Sequence, residues 1–264
     1  MNLPFLKLRV ADCAWVLFDR WASSGEPALP WASIAVDVCN RYRGAAATGL
    51  VAVSRSGDSS VIETWNAAGE PIAPPPCASL CASRLLFDAG RAGPDSIGFM
   101  SSAGPVEALV FDSQVLGLPL GVPLREDGAP LGDAYGSGGL RLSAAPGAVV
   151  VMPVMLGGEG VEVALYDKPP SGRSDRRRAG EGNRRVEALA VSRQELRVLR
   201  GTRDPLVAAA AAAAAAIVAD YADRECAAVI AGHRLAAQWP EGGPLFVAAS
   251  PEYCFSGEFW VADR

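Results

Sequence analysis

Histidine is all but missing from this chain: His233 is the only one in 264 residues. The six cysteines, at 13, 39, 77, 81, 226 and 254, are scattered, and only Cys77 and Cys81 stand near each other. A zinc centre needs several convergent Cys, His or carboxylate ligands, so this scatter argues against one. Aromatic residues make up 7% of the chain, and positive charge is not in excess, the net charge being −5. Nucleic acid is therefore a poor partner. No uninterrupted apolar run of about 20 residues occurs, so no spanning helix is expected. The start, Met1-Asn2-Leu3-Pro4-Phe5, lacks the basic and apolar regions of a signal peptide, and a cytoplasmic protein with free core thiols is the expectation.

What is present in abundance is alanine. Nine in a row, Ala208 to Ala216, follow Asp204-Pro205-Leu206-Val207 and precede Ile217-Val218. Alanine is the best helix former, and Asp-Pro is a strong start signal, an N-cap followed by proline at the first helical position. The spacing predicts one buried helix whose small side chains let other backbone pack close. It carries no thiol, hydroxyl, carboxylate or imidazole between Val207 and Val218.

The rest of the chain, 50% hydrophobic, reads as strands punctuated by Gly and Pro. Strand patterns cover Phe5 to Asp19 with a break at Ala11-Asp12-Cys13, Gly49 to Val53 and Val61 to Trp65. A helical pattern runs from Trp31 to Arg41. Pro74-Pro75-Pro76 feed a second helix, Cys77 to Ala89, since proline is tolerated only at a helix start. Two strands joined at Gly104-Pro105 fill Ile97 to Val115. Strands are also read at Ala148 to Val154, Val161 to Tyr166, Val186 to Val191, Leu196 to Leu199, Ala227 to Ile230, Arg234 to Trp239, Leu245 to Ala248 and Cys254 to Val261. Between them lies an Arg-rich segment, 173–185, with six arginines among Ser, Gly, Asp and Glu, read as a solvated loop. Gly136-Ser137-Gly138-Gly139 and Gly157-Gly158-Glu159-Gly160 do not open a helix after a strand, so they are not nucleotide motifs. Strands followed by a helix entered through a special turn occur twice, which implies two similar halves with a cleft between them.

Several stretches, in order, resemble the diaminopimelate epimerase family over nearly the whole chain. They are Phe5-Leu6-Lys7 through Phe18-Asp19, Asn40-Arg41-Tyr42-Arg43-Gly44 with Gly49-Leu50, Trp65-Asn66-Ala67-Ala68-Gly69, Cys81 and Arg84, Leu196-Arg197-Val198, Pro244-Leu245-Phe246-Val247 and Phe255-Ser256-Gly257-Glu258-Phe259. The resemblance implies an α/β (α+β) fold of two pseudo-symmetric domains, each a mostly antiparallel sheet wrapped around a central helix. The expected division is 1–113 and 114–253, with 254–264 returning to the first domain. It also implies cofactor-independent proton transfer by two cysteines, one at the start of each central helix.

Both cysteines are replaced. Counted without gaps from Asn66, the first falls on Pro75; counted from Arg197, the second falls on Ala209, and the glycine-serine that should cradle a carboxylate becomes Ala210-Ala211. The family's early asparagine falls on Cys13. Asn66 and Asn183 survive among its ligand contacts. Two-base racemisation needs an acid/base on each face of the substrate, and neither proline nor alanine supplies one.

The groups left that could carry chemistry are Cys77 in the first helical turn, where a thiolate is stabilised, Asp204 at the mouth of the alanine helix, and Glu70 beside the Asn66 turn. Relatives in the phenazine pathway use a carboxylate in place of cysteine. Arg200 could hold a carboxylate, with Asn66, Asn183 and Cys13 as further ligand contacts. Each also has a plain structural reading: Cys77 and Cys13 as core thiols, Asp204 as a cap, Glu70 as a turn residue. The chain is thus read as a cofactor-free isomerase or cyclase acting on a small carboxylate or amino-acid-derived metabolite, neither membrane-bound nor nucleic-acid-binding. The alternative is an inactive ligand-binding or partner subunit, and a homodimer or a heterodimer with a related subunit fits either reading.

Overall fold

The structure is a computed structural model that describes residues 2–23, 29–131, 148–156, 159–170 and 184–261. The chain forms two compact units, Met1–Leu118 with Ser250–Arg264, and Pro119–Ala249.

The first unit is built from β1 (Asn2–Val10), β2 (Cys13–Asp19), α1 (Trp31–Val38), β3 (Gly49–Ser56), β4 (Ser59–Asn66), the two-residue β5 (Pro71–Ile72), α2 (Pro76–Asp88), β6 (Ser96–Ser101), β7 (Gly104–Val110) and β8 (Leu116–Pro119). Strand order runs from the C-terminal strand β16 (Glu252–Trp260) through β1, β2, β3, β4, β6 and β7 to β8. Neighbours are antiparallel except at β2–β3 and β4–β6, where a helix makes the crossover that a parallel pair requires.

Side-chain alternation sorts this sheet into two layers. Val16 and Phe18 of β2, and Leu50 and Ala52 of β3, share a cluster with Ile34, Ala35 and Val38 of α1, joined by Leu3, Phe5 and Trp65. The alternate residues Trp15, Leu17, Val51 and Val53 are buried on the opposite face, the one towards α2. Gly49 is required here, because a Cβ would collide with the Trp15 ring and the Trp65 carbonyl. Helix α1 ends three residues short of the sequence expectation. The Asn40 Oδ1 accepts from the backbone N–H of Tyr42 (2.9 Å) and Arg43 (3.1 Å), drawing the chain into an Asx turn. The β6–β7 hairpin also turns earlier than expected, at Ser102 and Ala103, with Gly104-Pro105 inside β7.

The second unit contains β9 (Val150–Leu156), β10 (Glu159–Tyr166), β11 (Arg185–Ser192), β12 (Glu195–Arg200), α3 (Pro205–Val218), β13 (Glu225–Ile230), β14 (His233–Gln238) and β15 (Phe246–Ala249), with strand order β15-β14-β13-β12-β11-β10-β9. Its parallel pairs are β10–β11 and β12–β13. The internal pattern repeats that of the first unit: a strand pair, a crossover, a strand pair, a central helix, then antiparallel strands. The Arg-rich segment 173–185 occupies the chain position that α1 has in the first unit; residues 173–183 of it lie outside the described residues. Helix α3 is in contact with every strand from β9 to β15, and Pro205 to Ala216 are all buried. Small side chains make the wrap close: a Cβ on Gly201 would stand 3.0 Å from the Ala208 Cβ.

Candidate functional site

The mouths of the two central helices are built differently. Helix α2 has Pro75 as its N-cap (φ −63°, ψ 155°) and no side-chain capping bond. Pro76 at the first position turns Cys77 inward. Cys77 is 0% exposed, and its thiol donates to the Cys13 carbonyl at 3.6 Å. Cys13 is itself buried, its Sγ 3.7 Å from the Thr48 hydroxyl. Both thiols thus lie in the core of the first unit. A helical first turn favours a thiolate, but burial disfavours one, and Cys77 is fully buried with its thiol on the Cys13 carbonyl.

Asn66 and Glu70 do come together, and they hold each other. The Asn66 Oδ1 accepts from the N–H of Ala68 (2.9 Å) and of Glu70 (3.0 Å), while its Nδ2 donates to Glu70 Oε2 at 2.7 Å. The backbone closes the same turn, Asn66 N–H to Glu70 O at 3.0 Å and Gly69 N–H to Asn66 O at 2.9 Å. Gly69 takes φ +81°, and a Cβ there would run into the Ala32 carbonyl. Both oxygen bonds of the asparagine are spent on the turn, so Asn66 acts first as the maker of the loop that leads into α2. Glu70 is exposed, with one carboxylate oxygen tied to that amide.

Helix α3 has an ionisable group at its mouth. Asp204 is the N-cap (φ −99°, ψ 115°), and its Oδ1 accepts from the N–H of Leu206 at 2.9 Å and of Val207 at 3.4 Å. The Thr202 hydroxyl donates to the Asp204 carbonyl at 2.8 Å. Ala209 is the fifth helical residue, fully buried. Pro75 and Ala209 are therefore not equivalent in the structure: the position matching Pro75 is Asp204. Gap-free counting from Arg197 lands five residues further on, inside the helix. The Asp-Pro pair was the signal that marked the true start.

Arg200 closes β12, four residues before Asp204. A bulge at Leu199 breaks the alternation: Val198 pairs with Ala188 and is buried, whereas Arg200 pairs with Glu187, on the opposite face of the sheet. Among the described residues its guanidinium enters no hydrogen bond or ion pair, unlike Arg193, which holds Asp220 and Asp223. Asn183 lies outside the described residues. Among the described residues no group of three or more His, Cys, Asp or Glu could hold a metal ion, and no helix is long and apolar enough to cross a membrane.

One cluster went unnoticed in the sequence. Arg84, buried on α2, donates through Nε to Asp88 Oδ2 at 2.7 Å and through Nη1 to the Ser113 carbonyl at 2.9 Å. The Tyr253 hydroxyl of β16 donates to the same Asp88 oxygen at 2.7 Å. Burial, then the bond to Asp88, pushes the Tyr253 phenol well above its ordinary range. The i,i+4 spacing of Arg84 and Asp88 was a readable signal; the tyrosine, far away in sequence, was not.

Solved structures resemble the chain over almost its full length. A PhzF-family phenazine biosynthesis protein from Enterococcus faecalis is 12% identical with a TM-score of 0.70, covering 99% of this chain and 100% of that one. A methylitaconate-delta-isomerase is 10% identical with a TM-score of 0.59, covering 98% and 95%. A probable proline racemase from Agrobacterium radiobacter is 14% identical with a TM-score of 0.57, covering 98% and 93%. The fold is diaminopimelate epimerase-like. No protein-family model and no curated protein matches the chain. The resemblance thus stands at the level of the fold alone, shared with a PhzF-family protein and a probable proline racemase.

Proposed function

We propose that the chain is a cofactor-independent isomerase that moves a proton along one face of a small carboxylate-bearing metabolite, with Asp204 as acid/base and Arg200 as the carboxylate's partner. The observation that carries this reading is the asymmetry of the two helix mouths. Inversion at carbon needs a proton acceptor on one face and a donor on the other. Pro75 can be neither, and Cys77 is sealed in the core. Asp204 remains, a carboxylate at the start of a central helix, with Arg200 four residues upstream at the end of β12, its guanidinium in no hydrogen bond or ion pair among the described residues. A single carboxylate can take a proton from one carbon and return it to another on the same face, which isomerises a double bond without inverting a centre. Arginine, with its planar fork of donors, suits a substrate carboxylate. Its neighbours in fold include a methylitaconate-delta-isomerase and PhzF proteins, which agrees with isomerase chemistry.

The test is deuterium incorporation in D2O from a panel of unsaturated and amino-substituted carboxylic acids, followed by NMR. Incorporation is expected for at least one compound. Asp204→Asn is the informative variant, because asparagine still caps a helix but cannot accept the proton. Exchange should fall by roughly 10²–10⁴-fold in that variant, and Arg200→Met should raise KM more than it lowers kcat. Exchange that survives Asp204→Asn would remove Asp204 from the mechanism.

A second reading is a non-catalytic subunit or ligand-binding protein. It is favoured by the absence of any ionisable group on α3 from Leu206 to Val218. No exchange with any compound, together with saturable binding of a carboxylate, would move the conclusion there.

A further inference from the structure

The loop between α1 and β3 is fixed by its own backbone. Five consecutive amides, Tyr42 to Ala46, all donate within the segment. The Asn40 Oδ1 takes those of Tyr42 and Arg43. The Asn40 carbonyl takes those of Gly44 at 2.9 Å and Ala46 at 3.4 Å, and the Val38 carbonyl takes that of Ala45 at 2.6 Å. The Lys7 ammonium of β1 donates to the carbonyls of Ala45 at 2.7 Å and Ala46 at 3.1 Å. Gly44 lies so close to the end of α1 that a Cβ would stand 2.3 Å from the Val38 carbonyl oxygen. Ala46 takes φ +54°, which a residue other than glycine keeps only when its surroundings hold it there. A loop pinned at this many points has little freedom left to lose on binding.

The fold makes no use of the side chains this loop carries. Arg41, Tyr42 and Arg43 are exposed, and Tyr42, at 86%, is the most exposed of the large hydrophobic side chains among the described residues. Among the described residues none of the three side chains enters a hydrogen bond or ion pair. The Arg41 guanidinium lies 5.4 Å from the Tyr42 ring centroid, which holds those two together. A loop ordered by packing would bury its largest side chains; here the backbone is rigid and the side chains are presented to solvent. Their charge has one sign. From Val38 to Gly49 the chain carries two arginines and no acidic residue, in a protein of net charge −5. Tyr and Arg are the residues that most often dominate the energy of a protein interface, and Arg matches a carboxylate bidentately.

We propose that Arg41-Tyr42-Arg43 is a preformed docking loop for an acidic segment of a partner protein. Carboxylates of the partner pair with the two guanidiniums, and the aliphatic stem of a glutamate covers the Tyr42 ring between them. Such a segment fits better than nucleic acid. The net negative charge of the chain repels a long polyanion, whereas a few carboxylates respond to the local field alone, because salt screens the rest of the surface beyond about 10 Å.

The probe is a blocked hexaglutamate peptide titrated into the full chain at low salt, with hexaglutamine as the uncharged control and a single-stranded oligonucleotide as the competing polyanion. Amide NMR reads the site. Saturable shifts centred on residues 41 to 44 are expected with hexaglutamate and not with hexaglutamine, fading as salt rises to roughly 0.5 M. The variant carrying both Arg41→Ser and Arg43→Ser should bind about fivefold more weakly or worse. Asn40→Ala leaves every charge in place and frees the amides of Tyr42 and Arg43, and should weaken binding about threefold. No saturable shift in the loop overturns the proposal. So do equal shifts with hexaglutamine, tighter binding of the oligonucleotide, or undiminished affinity in the arginine double variant. Undiminished affinity in Asn40→Ala overturns it too, since the loop would then not need to be preformed. If the arginine double variant melts well below the parent, the shift map of the parent and its salt dependence decide.

Discussion

The two central helices divide their polar groups in opposite ways. α2 is polar inside and uncapped at its mouth: Ser79, Ser83 and Arg84 are buried along it, and Pro75 starts it without a side-chain bond. α3 is apolar throughout, and its ionisable group stands at the mouth, where Asp204 takes up two backbone N–H groups. Each solution is physically complete. The α2 hydroxyls and guanidinium find partners locally, Ser83 on the Ser79 carbonyl at 2.9 Å and Arg84 on Asp88 and Ser113. The α3 alanines need none. One unit thus spends its polar residues on holding itself together, while the other keeps a carboxylate at a helix start.

The comparison breaks first at Asp204. If the mouth of α3 is the reacting one, Asp204→Asn abolishes proton exchange by the factor given above, while Glu70→Gln, at the α2 side, changes it little. A large loss from Glu70→Gln and none from Asp204→Asn would reverse the roles of the two units.

Alkaline unfolding separates the units next. Burial pushes the Cys39 thiol, packed beside α1 in the first unit, from 9.0 up to about 12, with Lys7 opposing weakly. Burial, then the charge of Asp223, raises Cys226 in the second unit to about 11. Below pH 9 both thiols are protonated in folded and unfolded chains, and their contribution to stability is intact. As pH rises beyond 9 the unfolded thiols ionise first, so stability falls, on the order of 1.4 kcal/mol per pH unit per thiol. The loss continues to about pH 12 for Cys39 and stops near 11 for Cys226. In denaturant titrations Cys39→Ala should flatten that curve from pH 9 to about 12, and Cys226→Ala only from pH 9 to about 11. Parallel curves for both variants and the parent would refute this.

Overpacking tests the alanine seam. Ala212→Leu adds volume where α3 is completely buried, and should cost about 1–3 kcal/mol, read from urea midpoints. A neutral result would mean that the second unit holds unfilled space around α3.

The smallest effect expected is that of the cap. Asp204→Ala should be less stable than Asp204→Asn by about 1 kcal/mol, since only the latter keeps an acceptor for Leu206 and Val207. Equal melting points would show that the capping bonds contribute nothing net.

Much of this was legible in the residues themselves. Asp204-Pro205 and the alanine run specified α3 to the residue at its start, and the triple proline placed the start of α2 within one residue. Alternating Val, Leu and Ala marked the strands within a few residues, because a half-buried strand exposes every second side chain to a different solvent. The misplacements were local competitions, such as Asn40 capturing the amides that would have lengthened α1.

The site was legible in part. Asp204 and Arg200 were identifiable from their types and their nearness in the chain. That Cys77 is sealed under Cys13, that Asn66 and Glu70 occupy each other, and that Ala209 sits a turn inside α3 were not. The sequence by itself determined which segments are helices and strands, where each central helix begins, and that no second thiol or hydroxyl faces out of α3. Those properties follow from contacts a few residues apart. Only the tertiary structure decided which candidates are buried and that β16 lies at the edge beside β1. Those depend on partners more than 250 residues away, such as Leu3 against Phe259, whose approach no local pattern encodes.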